Sequence, residues 1–332
     1  MSHISSLIGQ HFAYASGRTG VLQQILLTES DKDRLLGAQN LDATEQILTE
    51  LTITNAIDQG LRKADDILFA LGLWTRNEVE QMTPENKRPT FHILWIEEYS
   101  PLLSYLLKKH AGLTSPASRE PQSRIPAHEA LELKKLIEED EAGQLPRALI
   151  SFVREMKERK DVTPESIDAA VAQYIADRQI QLARKSGSKE ILLYVSHKID
   201  LNNIRTALRK APSSAFLTGG TLHLEKAEGN TEAIAKAIDI SDLPFTLGQA
   251  IRKNSDDPNA LEMALSQVIA HDIAHMWNIP LSIEPVFAFA ALAQSQLALL
   301  RALIIGKRAN LDPQTIKKML PPFLSASHYV LS

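Results

Sequence analysis

Apolar residues along this chain follow the spacing of helices much more often than the spacing of strands. One helical face is formed by the apolar residues after Thr163, which are Ile167, Ala170, Val171, Tyr174 and Ile175. A similar stripe follows Asp42. Alternation typical of strands is not convincing anywhere, although the short segment Phe216–Leu224 could form a pair. The pattern therefore predicts an all-α fold.

Helix starts are marked by two kinds of signal. Proline directly follows Thr163 and Asp312, and a proline in the first helical turn costs no hydrogen bond because its missing N–H would have no partner there. Ser30 and Asp42 each have an acid three residues later, the spacing of an N-cap supported by a capping box. These residues predict helices that begin at all four positions.

The most apolar stretch is Pro285–Ile305, and its length of about 20 residues would suffice to cross a membrane. Gln294, Gln296 and Arg301 interrupt it, and such polar centres are expensive in lipid. We therefore expect a helix buried in protein, without a membrane span. Any association with a membrane then depends on a partner.

A loop and an internal repeat indicate how the chain is divided into domains. The stretch 114–127 contains three prolines and three serines, which predicts a linker or exposed crossover. The segment beginning at Ile167 resembles the one beginning at Leu261, Arg205 aligns with Arg301, and Glu98–Lys109 is a fainter third copy. A spacing of about 95 residues exceeds that of helical-pair solenoids. It favours three tandem helical domains, with generic amphipathic similarity as the alternative.

Composition narrows the class of protein. The 36 basic and 40 acidic residues give a net charge of -4, which argues against a nucleic-acid-binding surface. No cysteine is present, so disulfides, thiolate zinc sites, iron–sulfur clusters and cysteine nucleophiles are excluded, and a reducing compartment fits. The opening residues lack the basic and apolar regions of a secretory signal.

Catalytic motifs are scarce. The sequence has no phosphate-binding loop, no dinucleotide fingerprint and no nucleophile elbow. His271 and His275 have the i, i+4 spacing with which zinc hydrolases hold a metal, and Asp272 stands where their glutamate base would be. Only Glu284 and His223 offer themselves as a third ligand. Paired surface histidines are the simpler interpretation.

The arginines and asparagines on the predicted helices could serve either as ligand-binding groups or as contacts within the molecule. Arg205 and Arg209 lie four residues apart, so they could form an anion clamp. We favour the alternative, in which they pair with Asp200 or with helix ends between domains. Asn203 is a poor helix former at mid-helix, which predicts an amide that bridges neighbouring helices.

Four segments carry a resemblance to the C subunits of the archaeal and bacterial vacuolar-type (A/V-type) ATPases, a family that includes the eukaryotic d subunits. The family pattern of an acid-Leu-x-Asn-Leu-Arg-Thr-x-Leu-Arg helix is similar to the stretch with Asp200, Leu201, Asn203, Ile204, Arg205, Thr206, Leu208 and Arg209. Phe216–Leu222 resembles its Gly-Gly turn. The stretch from Pro285 is similar to its closing helix, including Arg301, Gly306 and Lys307, and the stretch from Tyr14 is similar to its opening helix, including Arg18.

The resemblance implies a non-catalytic rotor component of an A/V-type ATPase. Such a component is a funnel of three related helical domains, here placed at 1–122, 123–218 and 219–332. It is cytoplasmic and peripheral to the membrane, links the central stalk to the ring of proteolipid subunits, and transmits torque for ion transport coupled to ATP hydrolysis or synthesis. Its partners are the stalk subunits and the ring, and no cofactor is implied.

The same resemblance suggests which residues make contacts. Inter-helix or partner contacts are expected from Arg18, Asn203, Arg205, Arg209, Arg301 and Lys307. The closing helix departs from the family pattern, because Gln294, Gln296 and Leu299 stand where acids and an asparagine are usual. Two alternatives stay open: a helical scaffold outside a rotor, and a metal-dependent hydrolase that uses His271 and His275.

Overall fold

The computed structural model describes residues 2–57, 60–115, 117–227, 229–254 and 257–325, with side chains from Phe12 onward. Within these ranges the regular structure consists of α-helices and short 3-10 turns, without a strand. The prediction of an all-α fold is confirmed.

In the first part of the chain, the described residues form seven α-helices. Their bounds are α1 Ser2–Gln23, α2 Glu29–Gly37, α3 Leu41–Glu50, α4 Thr52–Asn55, α5 Ala64–Met82, α6 His92–Trp95 and α7 Ser100–His110. Two 3-10 helices, Glu85–Phe91 and Ile96–Tyr99, flank α6. The predicted loop follows α7 and continues, apart from Pro116, which lies outside the described residues, to the start of the next helix.

The second part contains the longest helices. The bounds are α8 Ala127–Glu139, α9 Arg147–Glu158, α10 Pro164–Ser186, α11 Lys189–Leu208, α12 Thr231–Asp239, α13 Phe245–Lys253, α14 Pro258–Trp277, α15 Glu284–Arg308 and α16 Pro313–Met319. A 3-10 turn, Ser213–Ala215, follows α11. Phe216–Leu224 forms turns and extended backbone without a strand, so the suggested strand pairing there is wrong.

The predicted helix starts are correct in part. Thr163 and Asp312 are the N-caps of α10 and α16, as predicted. The expected caps at Ser30 and Asp42 are wrong by two residues, because Thr28 caps α2 in a capping box and Asn40 caps α3. Thr28 also has an acid three residues later, so local spacing alone could not choose between it and Ser30.

Two pairs of long helices carry the repeated sequence. Ile167 lies in α10 and Arg205 in α11, while Leu261 lies in α14 and Arg301 in α15. The helices of each pair are in contact, and α11 also packs against α14. The two repeated segments therefore occupy corresponding places in two helix hairpins. The division into three domains stays a prediction.

Among the residues whose side chains are described, the buried apolar ones form three clusters. The first combines three stretches of chain, within 12–95, 176–199 and 273–316. The second lies within 102–175 and the third within 201–268. Each of the last two uses a continuous part of the chain, whereas the first requires helices that are distant in sequence.

Helix α15 is the centre of the first cluster. It packs against α1, α3, α5 and α14, and Phe287 and Phe289 are fully buried. In the described part of the chain this is the one helix long and apolar enough to cross a membrane, but 67% of its most apolar window is buried inside the protein. Such burial is typical of the core helix of a water-soluble protein, which agrees with the sequence interpretation.

Candidate partner-contact residues

Arg18 connects the first helix to α5. Its guanidinium donates hydrogen bonds to both carboxylate oxygens of Glu78, from Nη2 to Oε1 at 2.9 Å and from Nε to Oε2 at 3.1 Å. The Arg18 side chain is 35% exposed and that of Glu78 is 13% exposed. This bidentate geometry fixes the planes of the two side chains relative to each other.

Asn203 holds a loop instead of a neighbouring helix. Its amide group donates to the carbonyl oxygen of Leu217 at 2.9 Å, and its Oδ1 accepts from the N–H of the same residue at 2.8 Å. The prediction that its amide bridges two helices is therefore wrong. A polar residue inside a helix does mark a close contact here, but the contact is with irregular backbone. Helical periodicity does not reveal a partner of that kind.

Asp200 does not pair with Arg205, so the expectation of that ion pair is wrong. Asp200 is fully buried, and its oxygens accept hydrogen bonds from the N–H groups of Thr221 and Leu222 and from the Thr221 hydroxyl, at 2.8–3.0 Å. A buried carboxylate is retained only where donors surround it. The Gly219-Gly220 turn brings those donors to it.

Arg205 connects α11 to α14. Its guanidinium donates to both oxygens of Glu262, with Nη2 to Oε2 at 2.8 Å and Nε to Oε1 at 2.9 Å. Arg209, one turn later, is exposed, and its side chain forms no hydrogen bond or ion pair with the described residues. The two arginines therefore have different surroundings, and the structure does not bring them together as a clamp.

Arg301 lies in a crowded cationic region. Its Nη2 is 3.8 Å from Oε1 of Glu98, and that carboxylate also accepts a hydrogen bond from Arg76. Arg76 in turn lies over the ring of Trp95, 5.2 Å from its centroid. Burial lowers the pKa of Arg301, and the nearby Arg124 and Arg76 act in the same direction against Glu98.

Lys307 is buried, with 4% of the residue exposed. Its ammonium donates to the carbonyl oxygens of Leu36, at 2.8 Å, and of Ala38, at the C-terminal end of α2. Burial lowers the pKa of Lys307. A cation at a helix C-terminus satisfies carbonyl groups that lack a partner within the helix and interacts favourably with the helix dipole.

The two histidines of the metal alternative lie on α14. His275 Nε2 is 3.4 Å from Oε2 of Glu190, and His271 is exposed. Among the described residues there is no group of three or more potential ligands that could hold a metal ion. Neither Glu284 nor His223 completes such a group. A buried pair nearby, His197 Nδ1 with Asp272 Oδ2 at 2.9 Å, was not foreseen from the sequence.

Gln296 is a second residue whose role the sequence did not reveal. Its Oε1 accepts from the N–H of Leu27 at 2.8 Å, and its amide group donates to the carbonyl oxygens of Leu27 and Leu324. A buried glutamine within a very apolar helix was the available signal, because a buried amide requires partners. Its partners lie far away in sequence, so they could not be named.

The candidate residues occupy three helices. Arg18 is on α1; Asn203 and Arg205 are on α11, with Arg209 at its C-terminal end; Arg301 and Lys307 are on α15. Most bind a partner inside the molecule. With the exception of Arg209, they join separate elements of the fold.

Comparison with known proteins gives one result. No curated protein matches the sequence. The family described as ATP synthase (C/AC39) subunit matches over residues 15–319, a range that includes every candidate contact residue. The chain belongs to the ATP synthase (C/AC39) subunit family.

Proposed function

We propose that this chain is a non-catalytic rotor component of an A/V-type ATPase. It would be a socket between the central stalk and the membrane ring of proteolipid subunits, cytoplasmic and peripheral to the membrane. The observation that carries the proposal is the family match over 15–319, since family members are subunits of the ATP synthase complex. In such a placement, association with the membrane depends on the partners.

Three related domains at 1–122, 123–218 and 219–332 would form the funnel of this socket. The repeated sequence in two helix hairpins supports the proposal, because related helices can form related parts of a wall. Glu98–Lys109, the fainter copy, falls on the end of a 3-10 turn and on α7. Its partner helix within the first domain is not identified by the repeat.

Transmission of torque requires stiffness. A helix packed at interior density yields little under load, since interiors have low compressibility. The burial of α15 and its contacts with α1, α3, α5 and α14 provide such a stiff element. Ion pairs such as Arg18 with Glu78 and Arg205 with Glu262 add fixed links between helices.

Arg209 is the candidate that we assign to a partner. It is exposed and unpaired within the described residues, whereas the other candidates have partners inside the molecule. An arginine with its fork of donors free fits a carboxylate on a neighbouring protein. We therefore expect an acidic contact opposite Arg209 in the assembled complex.

Reconstitution tests the function. The purified chain is added to a stalk preparation and, separately, to detergent-solubilised proteolipid rings from an A/V-type ATPase, and co-elution is measured by size-exclusion chromatography. Binding to both is expected of a socket. Binding to neither contradicts the rotor proposal and leaves the scaffold alternative. Metal analysis of the same preparation tests the hydrolase alternative, which requires stoichiometric metal that is lost in His271→Ala.

A matched pair of variants tests the contact. Arg209→Glu should weaken co-elution with one of the two partners. Arg147→Glu, the same charge reversal on another exposed arginine without a described partner, should not. Equal effects of the two variants would mean that overall charge, and not a contact at Arg209, controls binding.

A further inference from the structure

A cavity of about 260 Å³ lies between α5, α15 and the loop before α8. Three arginines line it: Arg124 from the loop, and Arg301 and Arg308 from α15. Its apolar wall includes Phe69 and Ile305, which are both exposed in part, at 37% and 58%. The cavity therefore combines guanidinium groups with an apolar rim.

Positive charge exceeds negative charge around this cavity. Arg308 donates to Asp65 at 2.9 Å, so that pair is balanced. Arg301 must share Glu98 with Arg76, and its own distance to that carboxylate is 3.8 Å. Arg124 is exposed and has no hydrogen bond or ion pair within the described residues. Among the residues that line the cavity, three arginines therefore face one carboxylate, Asp65.

Arg301 is the most buried of the three arginines that line the cavity. Its side chain is 19% exposed, so much of its charge has lost contact with water. A buried charge without a close partner is costly, and a bound anion removes that cost. Burial lowers the pKa of Arg301, because loss of water penalises the charged guanidinium.

We propose that this cavity binds a phosphate group, with Arg124 and Arg301 as its principal donors. Planar guanidinium forks match the oxygen geometry of phosphate and bind it with two parallel hydrogen bonds. Partial burial of the Arg301 side chain strengthens the bonds that it makes, because water competes less for its donors. The phosphate belongs either to a soluble phosphorylated compound or to the headgroup of a phospholipid. In the second case the acyl chains of the lipid meet Phe69 and Ile305.

The site is independent of the rotor function. It uses residues on α15 and the loop, and nothing in its geometry requires the stalk or the ring. A failure to bind phosphate would leave the proposed function as it stands, and a failure to assemble with the ATPase would leave the site intact.

Isothermal titration calorimetry on the full chain with inorganic pyrophosphate tests the soluble source. We expect saturable binding that weakens as salt is added, since exposed charge pairs are screened. Arg124→Gln and Arg301→Gln should each reduce the affinity at least tenfold. Arg147→Gln removes the same charge from an exposed arginine outside the cavity and should not change it.

Flotation with vesicles tests the lipid source. Vesicles of phosphatidylcholine with phosphatidic acid are compared with vesicles of phosphatidylcholine alone, and Arg124→Gln should abolish the difference. Binding of pyrophosphate alone identifies a soluble ligand, and binding of vesicles alone identifies a headgroup. Binding of neither, or equal binding by all variants, overturns the proposal. Because Arg124 lies on an exposed loop, its variant keeps the test valid even if Arg301→Gln does not fold.

Discussion

Asp200 organises the loop after α11 through a few hydrogen bonds. It is fully buried, and its carboxylate accepts from the N–H groups of Thr221 and Leu222 and from the Thr221 hydroxyl. Gly219 has a φ of +104°, which favours glycine, and a Cβ on Gly220 would collide with the Asp200 side chain. The Gly-Gly pair therefore lets backbone donors approach a buried acid.

Substitutions at this turn should show that dependence. Asp200→Ala leaves the buried N–H of Leu222 and the part-buried N–H of Thr221 without an acceptor, so we expect a loss of about 2–4 kcal/mol in the free energy of unfolding. Gly220→Ala forces the turn away from Asp200 and should lose an amount of the same order, about 1–3 kcal/mol. Urea unfolding measures both. The control is Gly17→Ala, since a Cβ there meets nothing within 4 Å. An unchanged Gly220→Ala midpoint would contradict the close approach.

Glu45 on α3 is a second residue whose side chain binds the backbone of a distant part of the chain. Its Oε1 accepts from the N–H of Ala64, at the first residue of α5, and its Oε2 accepts from Lys63 Nζ, both at 3.0 Å. Burial alone would raise the pKa of Glu45, but the hydrogen bond from Ala64 and the pairing with Lys63 outweigh it and lower the pKa. The charged carboxylate is thus the form that stabilises the fold.

The stability of the protein should therefore depend on Glu45 at neutral pH and not in acid. A lowered folded-state pKa contributes stability above the ordinary value of 4.5, and this contribution is lost as the pH falls through the folded-state pKa. Glu45→Gln should cost about 1 kcal/mol near pH 7. Urea unfolding at several pH values should show the two proteins converging below 4.5. A difference that stays constant would contradict the role of the charge.

At the scale of elements, ion pairs link helices that are far apart in sequence. Arg18 joins α1 to Glu78 on α5, and Arg205 joins α11 to Glu262 on α14. The two pairs share bidentate geometry but differ in exposure. Glu78 is 13% exposed and Glu262 is 42% exposed. Water and salt therefore screen the second pair more than the first.

Double-mutant cycles should separate the two pairs. With each residue replaced by glutamine, the coupling of Arg205 with Glu262 should be about 0.2–1 kcal/mol, as for partly exposed pairs elsewhere. The coupling of Arg18 with Glu78 should be larger and should persist when salt is added. Denaturant unfolding of the four variants in each cycle measures both. A larger coupling for Arg205 would mean that exposure does not set the strength of these links.

The sequence revealed the elements better than the links between them. Proline after Thr163 and Asp312 predicted two helix starts correctly, because an N-cap depends on residues within one turn. The partner of Arg205 lies 57 residues away and that of Gln296 lies 269 residues away. Such partners are set by packing of the whole chain, so residue type showed only that a partner was needed. The prediction of Ser30 as the cap of α2 was wrong because Thr28 also has an acid three residues later, and this local spacing does not distinguish the two residues.

At the scale of the whole molecule, the three apolar clusters differ in which parts of the chain build them. The first cluster collects α15 with helices from both ends of the chain, and rings meet there, with Phe287 at 5.4 Å from Tyr194 and 6.0 Å from Phe91 between centroids. The second is continuous and lies within 102–175. A substitution in the first cluster should therefore destabilise helices from distant parts of the chain. A substitution in the second cluster should destabilise only helices that are close in sequence.

Hydrogen exchange can test this difference with two truncations of fully buried side chains, Phe287 and Leu133. Phe287→Ala should cost about 3–5 kcal/mol and Leu133→Ala about 2–5 kcal/mol, because each leaves a cavity. In Phe287→Ala, amide exchange should become faster in α5, α11 and α15 together. In Leu133→Ala it should become faster in α7, α8, α9 and the N-terminal half of α10 alone, since opening of a cluster follows the helices that build it. Faster exchange across the entire chain in both variants would mean that the clusters unfold as one unit. In that case a mechanical load on one cluster would be transmitted to the other two.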